Sequence, residues 1–86
     1  MPTLCRFGGI QIRMYWGESE HPPPHFHALK ANEVLIVDIE ALTIMESSAS
    51  KATERKVLAW AKKRQSELLD RWDRSQQHQP IEPIDP

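Results

Sequence analysis

The 86-residue sequence predicts an α+β domain. Its sheet is small and mostly antiparallel, with three or four strands over roughly residues 4–45. A long or split helix over residues 50–76 then packs on one face. Three observations lead there. Apolar and polar residues alternate from Ile10 to Trp16, two further β-rich segments follow before residue 40, and residues 51–76 lack Pro and Gly and carry an apolar stripe at helical spacing.

In the first predicted strand Ile10, Ile12, Met14 and Trp16 alternate with Gln11, Arg13 and Tyr15, so one face is buried. Gly8-Gly9 before it predicts a bend or bulge after Phe7. Pro22-Pro23-Pro24 removes three N–H donors and fixes φ, so Gly17 to Pro24 reads as a semi-rigid extended loop. His25 to Leu29 is the second strand, with His25, His27 and Leu29 on one face and Phe26 and Ala28 on the other. Ala31-Asn32 marks a turn, because Asn tolerates positive φ. Glu33 to Ile39 is the third strand, and its near-continuous apolar run predicts burial on both faces. Thr43-Ile44-Met45 is a short candidate fourth strand.

Ser47-Ser48-Ala49-Ser50 is rich in helix-capping residues. Beyond it Val57, Ala61, Leu68 and Trp72 form a stripe that Leu58, Trp60 and Leu69 widen. A single helix over residues 51–76 would run to about 39 Å, against the roughly 26 Å width of a globule this small. The stripe is interrupted at Arg64-Gln65-Ser66, so the helix either bends or splits there or projects onto a second subunit. Pro80 to Ile84 cannot be helical. Residues 1–79 are read as one domain and 80–86 as an extended tail whose isoleucines dock on the sheet or helix.

Composition sets limits. Hydrophobic residues make up 40% and charged residues 27%, which excludes a wholly disordered chain. No apolar run approaches the ~20 residues of a membrane span. The formal charge of −1 argues against a dedicated nucleic-acid binder. Its distribution is uneven: residues 1–50 carry three basic and six acidic side chains, whereas residues 51–74 carry eight and four. The lone Cys5 excludes an internal disulfide and a CxxC zinc site. With no secretory signal at Met1-Pro2-Thr3-Leu4, a reducing cytoplasm is expected.

The distinctive segment is His21-Pro22-Pro23-Pro24-His25-Phe26-His27, which holds three of the four histidines. As a metal site, His25 and His27 share a strand face and His21 or a carboxylate (Glu18, Glu20) completes the set. A divalent ion such as zinc is then the cofactor, although none is required. As a catalytic site, His25 and His27 act as acid and base in metal-independent phosphodiester cleavage. Arg13, Tyr15 or Lys30 would then steady a phosphate, and Arg55, Lys56, Lys62 and Lys63 would bind the substrate. As a structural element, the imidazoles hydrogen-bond loop carbonyls and pack on prolines and aromatics around Phe26, which needs no ligand at all.

Other residues weigh less. Trp16 walls the histidine loop or joins the core. Trp60 and Trp72 suit the core or a subunit interface better than base stacking. Arg55, Lys56, Lys62 and Lys63 suit a solvated helical face or an anionic partner. Asp38 and Glu40 share a strand face, and Cys5 has no catalytic motif around it.

The chain resembles a small bacterial family, the domain-of-unknown-function family numbered 4160. The resemblance rests on Met1-Pro2-Thr3-Leu4, on Phe7-Gly8-Gly9-Ile10 and on Ile12-Arg13-Met14-Tyr15. Its most specific part is His21-Pro22-Pro23-Pro24-His25-Phe26-His27-Ala28. Weaker matches follow at Val57-Leu58, Trp60-Ala61, Glu67-Leu68, Trp72 and Ile81-Glu82-Pro83. The resemblance implies a compact cytoplasmic domain often encoded beside another small protein, an arrangement like a toxin–antitoxin pair. Relatives commonly have Asn-Pro-Pro at Pro22-Pro23-Pro24, a Gly-containing turn at Ala31-Asn32, and His and Asn at Arg64 and Arg71. The leading expectation is a non-enzymatic interaction module with a small protein partner. Its acidic half and basic helix also allow a homodimer through the helix. The alternatives are a ribonuclease-type toxin and a histidine metal-binding protein.

Overall fold

A computed structural model describes residues 3–15 and 21–86. Trp16, Glu18 and Glu20 therefore lie outside the described residues, as does the end of the first predicted strand.

Five strands form one antiparallel meander in the order β1 (Thr3–Phe7), β2 (Ile10–Arg13), β3 (His25–Lys30), β4 (Glu33–Asp38) and β5 (Thr43–Ser47). Two helices follow, α1 (Lys51–Lys63) and α2 (Gln65–Gln76). The α+β class is as expected, but the sheet has five strands where three or four were expected. The additional strand is β1. Its pairing with β2 shifts register between Thr3 and Cys5, so Leu4 and Cys5 are both buried and the period-two signature is lost. Gly8 and Gly9 form the tight β1–β2 turn, so of the expected bend or bulge after Phe7 it is the bend that is present. Phe7 pairs with Ile10, and φ is 55° and 76° at the two glycines, as a two-residue hairpin loop demands. In the next hairpin the positive φ falls on Ala31 (50°) instead of Asn32.

One face of the sheet is dry. Ile10, Ile12, Met14, Phe26, Ala28, Leu35, Val37 and Ile39 are all buried there with the helices' Val57, Trp60, Ala61, Leu68 and Trp72. The outer face carries Gln11, Arg13, His27, Leu29 and Ile36, all half-buried, and Val34 at 38% exposure. The expectation that β4 is buried on both faces is therefore wrong. Leu35 and Val37 point inward, whereas Val34 and Ile36 lie on a face that the helices leave uncovered.

The helix splits where its stripe is interrupted. Arg64 leaves helical geometry (φ −114°, ψ 18°), and its N–H reaches both Trp60 and Ala61 carbonyls. Leu68 N–H then donates to Arg64 O as α2 begins. The break keeps both helices within a body of 33 × 23 × 22 Å. Ser50 caps α1 by accepting from Thr53 N–H at 3.2 Å. At the other sheet end, Gln65 Nε2 donates to Ile39 and Glu40 carbonyls, so α2 starts beside the end of β4.

The C-terminal segment is fastened to the same body. Ile84 is buried, its N–H donates to Leu4 O at 2.7 Å, and Trp60 Nε1 donates to Asp85 O at 3.0 Å. Arg71 donates to the Glu82 and Pro83 carbonyls.

Candidate functional site

The histidine segment sits where β3 starts and β2 ends. His25 is 8% exposed and His27 is half-buried, with ring centroids 5.6 Å apart. Each ring has an aromatic neighbour. Trp72 of α2 lies 5.0 Å from His25, and Tyr15 meets His27 edge-on at 4.6 Å. His25 Nδ1 donates to Pro23 O at 2.8 Å. A carbonyl can only accept, so Nδ1 carries the proton and Nε2 of a neutral ring keeps the lone pair. The following proline's carbonyl, Pro24 O, accepts from Ile39 N–H at 2.9 Å. The donor-poor proline loop is thus tied down by one imidazole and one strand amide, which is what the structural reading of His25 requires.

His21 is exposed. Among the described residues no group of three His, Cys, Asp or Glu side chains is arranged to hold a metal ion. His25 and His27 come together; His21 does not join them.

Arg13 pairs with His27 across the sheet, and Tyr15 touches His27, so these three share the outer face. Arg55, Lys56, Lys62 and Lys63 are exposed on α1, in the helix layer beneath the opposite face. Trp60 of that helix packs on Phe26, whose side chain points away from that of His27. The substrate surface that the ribonuclease reading needs therefore lies on the far side of the sheet from His27.

Asp38 is engaged locally. Its Oδ1 accepts from the N–H groups of Glu40 and Ala41, closing the turn after β4. Cys5 is buried, and that burial pushes its thiol up, which keeps it protonated at neutral pH.

Sequence reasoning passed over Arg6. It pairs with Gln11 across β1 and β2 and is exposed on the outer face. The Gln11 amide is assigned with its carbonyl toward two guanidiniums, at 3.0 Å from Arg6 Nη2 and 3.2 Å from Arg13 Nη2, and toward Thr3 Oγ1 at 3.0 Å, because the opposite assignment would set its NH2 against the two arginine donors. Reading Gly8-Gly9 as a two-residue hairpin would have found it, since that loop alone puts Arg6 opposite Gln11.

This meander with its split helix, and the histidine pair at the start of its central strand, define a small single-sheet α+β module. The family described as Domain of unknown function (DUF4160) matches residues 9–73, and the chain belongs to it. No curated protein and no solved structure matches the chain. No helix among the described residues is long and apolar enough to cross a membrane.

Proposed function

We propose that the protein is a non-enzymatic interaction module that receives an extended segment of a small protein partner along β5. The observation that carries this reading is the state of that strand. All five residues of β5 are exposed, it is terminal in the sheet, and among the described residues no further strand pairs with it. The opposite edge, β1, is instead engaged by the C-terminal segment through Leu4 O. An open edge offers unpaired N–H and C=O groups to an incoming strand.

Chemistry narrows the partner. The large exposed apolar side chains among the described residues, Val34, Ile44 and Met45, all lie on β4 and β5. These strands carry Glu33, Asp38 and Glu46 and no Lys or Arg. A segment alternating apolar and basic side chains fits this edge. A second β5 would bring like charges together. The apolar stripe of the helices is spent on the chain's own core, which leaves the sheet edge as the stronger support for a partner.

The test is capture of a partner by the tagged chain at native expression, then hydrogen exchange on the reconstituted pair. Slowed exchange over residues 43–47, with loss of capture in Ile44→Lys/Met45→Lys, is expected. Capture that survives this double variant, or protection confined to α1, overturns the reading.

A further inference from the structure

We propose that the outer face of β1 and β2 binds a small organic phosphate, with Arg6 and Arg13 holding the phosphate group and Gln11 orienting them. The two guanidiniums approach the same amide oxygen, so they stand within about 6 Å of each other, a distance at which like charges repel even near a protein surface. Among the described residues neither forms an ion pair, whereas Arg64, Arg71 and Arg74 each have a carboxylate partner. Gln11 supplies a neutral acceptor only. Two converging forks with donors left over are the arrangement that recognises a phosphate's three terminal oxygens.

The surroundings select the rest of the ligand. Arg6 and Gln11 line a depression of about 420 Å³ with Gly9, Ile10, Leu29 and Ala31, within the size range of small-molecule sites. Beyond Arg6 and Gln11 its lining is mainly apolar, which suits the base, sugar or carbon chain of a phosphomonoester. Lys30 shares the opposite face of β3 with Phe26 and Ala28 and pairs with Glu33 across the hairpin, so the two arginines are the cations of this corner. A nucleic-acid backbone fits poorly. Beyond this corner the sheet carries Asp38 and Glu46, and the exposed cations of α1 lie in the opposite layer.

The site is independent of the β5 edge and is tested separately. Inorganic phosphate and adenosine monophosphate are titrated into the full chain and followed by backbone amide NMR. Saturable shifts at residues 6, 9–13 and 29–31 are expected, with the nucleotide binding more tightly than phosphate. Gln11→Glu is the decisive variant. The new carboxylate has nearly the same shape and pairs with both guanidiniums, so the fold is kept while phosphate binding weakens by at least about tenfold. Arg13→Gln should weaken binding similarly, and Lys56→Gln/Lys63→Gln should leave it unchanged. The proposal is overturned by no saturable shift at millimolar probe, or by a folded Gln11→Glu chain that binds as the parent does. Preferential binding of single-stranded RNA with shifts spreading over α1 overturns it as well.

Discussion

Individual side chains in this protein are placed by what the backbone beside them lacks. Three consecutive prolines leave carbonyls without local donors, and His25 Nδ1 supplies one to Pro23 O. That bond and the Trp72 ring hold His25 in one orientation and leave it mostly out of water, a setting that favours a fixed role. Ala31 shows the converse. It occupies φ 50°, where a Cβ crowds the backbone and costs about 1–2 kcal/mol. Replacing it with glycine removes that crowding but adds freedom to the unfolded chain. Ala31→Gly should therefore stabilise the fold by up to about 1 kcal/mol, seen as a higher urea midpoint with an unchanged slope.

At the scale of elements, the β4–β5 hairpin and the start of α1 are bound by carboxylates. Glu33 Oε1 accepts from Ser50 N–H at 2.7 Å, and Glu54 Oε2 accepts from Ser47 Oγ at 2.6 Å. These bonds favour the charged forms and hold both groups below their usual range, with Ser50 N–H the main cause for Glu33 and the Ser47 hydroxyl for Glu54. On α2, Asp70 is lowered chiefly by Arg74 and further by Arg71. A carboxyl with a lowered folded-state pKa binds fewer protons when folded. Its contribution is complete above the unfolded value and is lost as pH falls through the folded one. Stability should accordingly decline as pH drops below about 4. Urea midpoints across that range read the effect, and Glu33→Gln/Glu54→Gln should show a shallower decline than the parent.

The break between the helices also belongs to this scale. Arg64 interrupts the apolar stripe, and in the structure its Nη1 pairs with Glu67 while its Nε is buried without a hydrogen-bond partner among the described residues. A continuous helix of that length would overrun the sheet. Splitting at the one charged residue on the stripe lets α2 turn along the strand ends and bring Trp72 to His25.

For the whole molecule, the C-terminal segment completes the core of a small domain. Ile84 is buried in the same cluster as Leu4, Trp60 and Leu68. Ile84→Ala should lower stability by roughly 2–4 kcal/mol. Because Ile84 N–H meets Leu4 O, hydrogen exchange in β1 should rise with it. Chemical denaturation and exchange on one sample check both outcomes; an unaffected β1 would mean the segment is not what steadies that edge.

The sequence by itself determined what depends on neighbours along the chain. Alternation sorted Ile10 and Ile12 inward from Gln11 and Arg13, and Phe26 from His25 and His27. Ser50 announced the helix start, and Arg64 marked the interruption of the stripe, at which the structure shows the split among the bend, split or projection left open. These features follow from local period and capping, which a few consecutive residues encode. The tertiary structure alone decided the rest. A bulge hid β1, and an apolar run in β4 gave no sign that one face would stay uncovered. Strand pairing brought Arg13 to His27, and helix packing brought Trp72 against His25. Such meetings join residues far apart in the chain. They depend on register and on which surface each element covers, and no single segment encodes either.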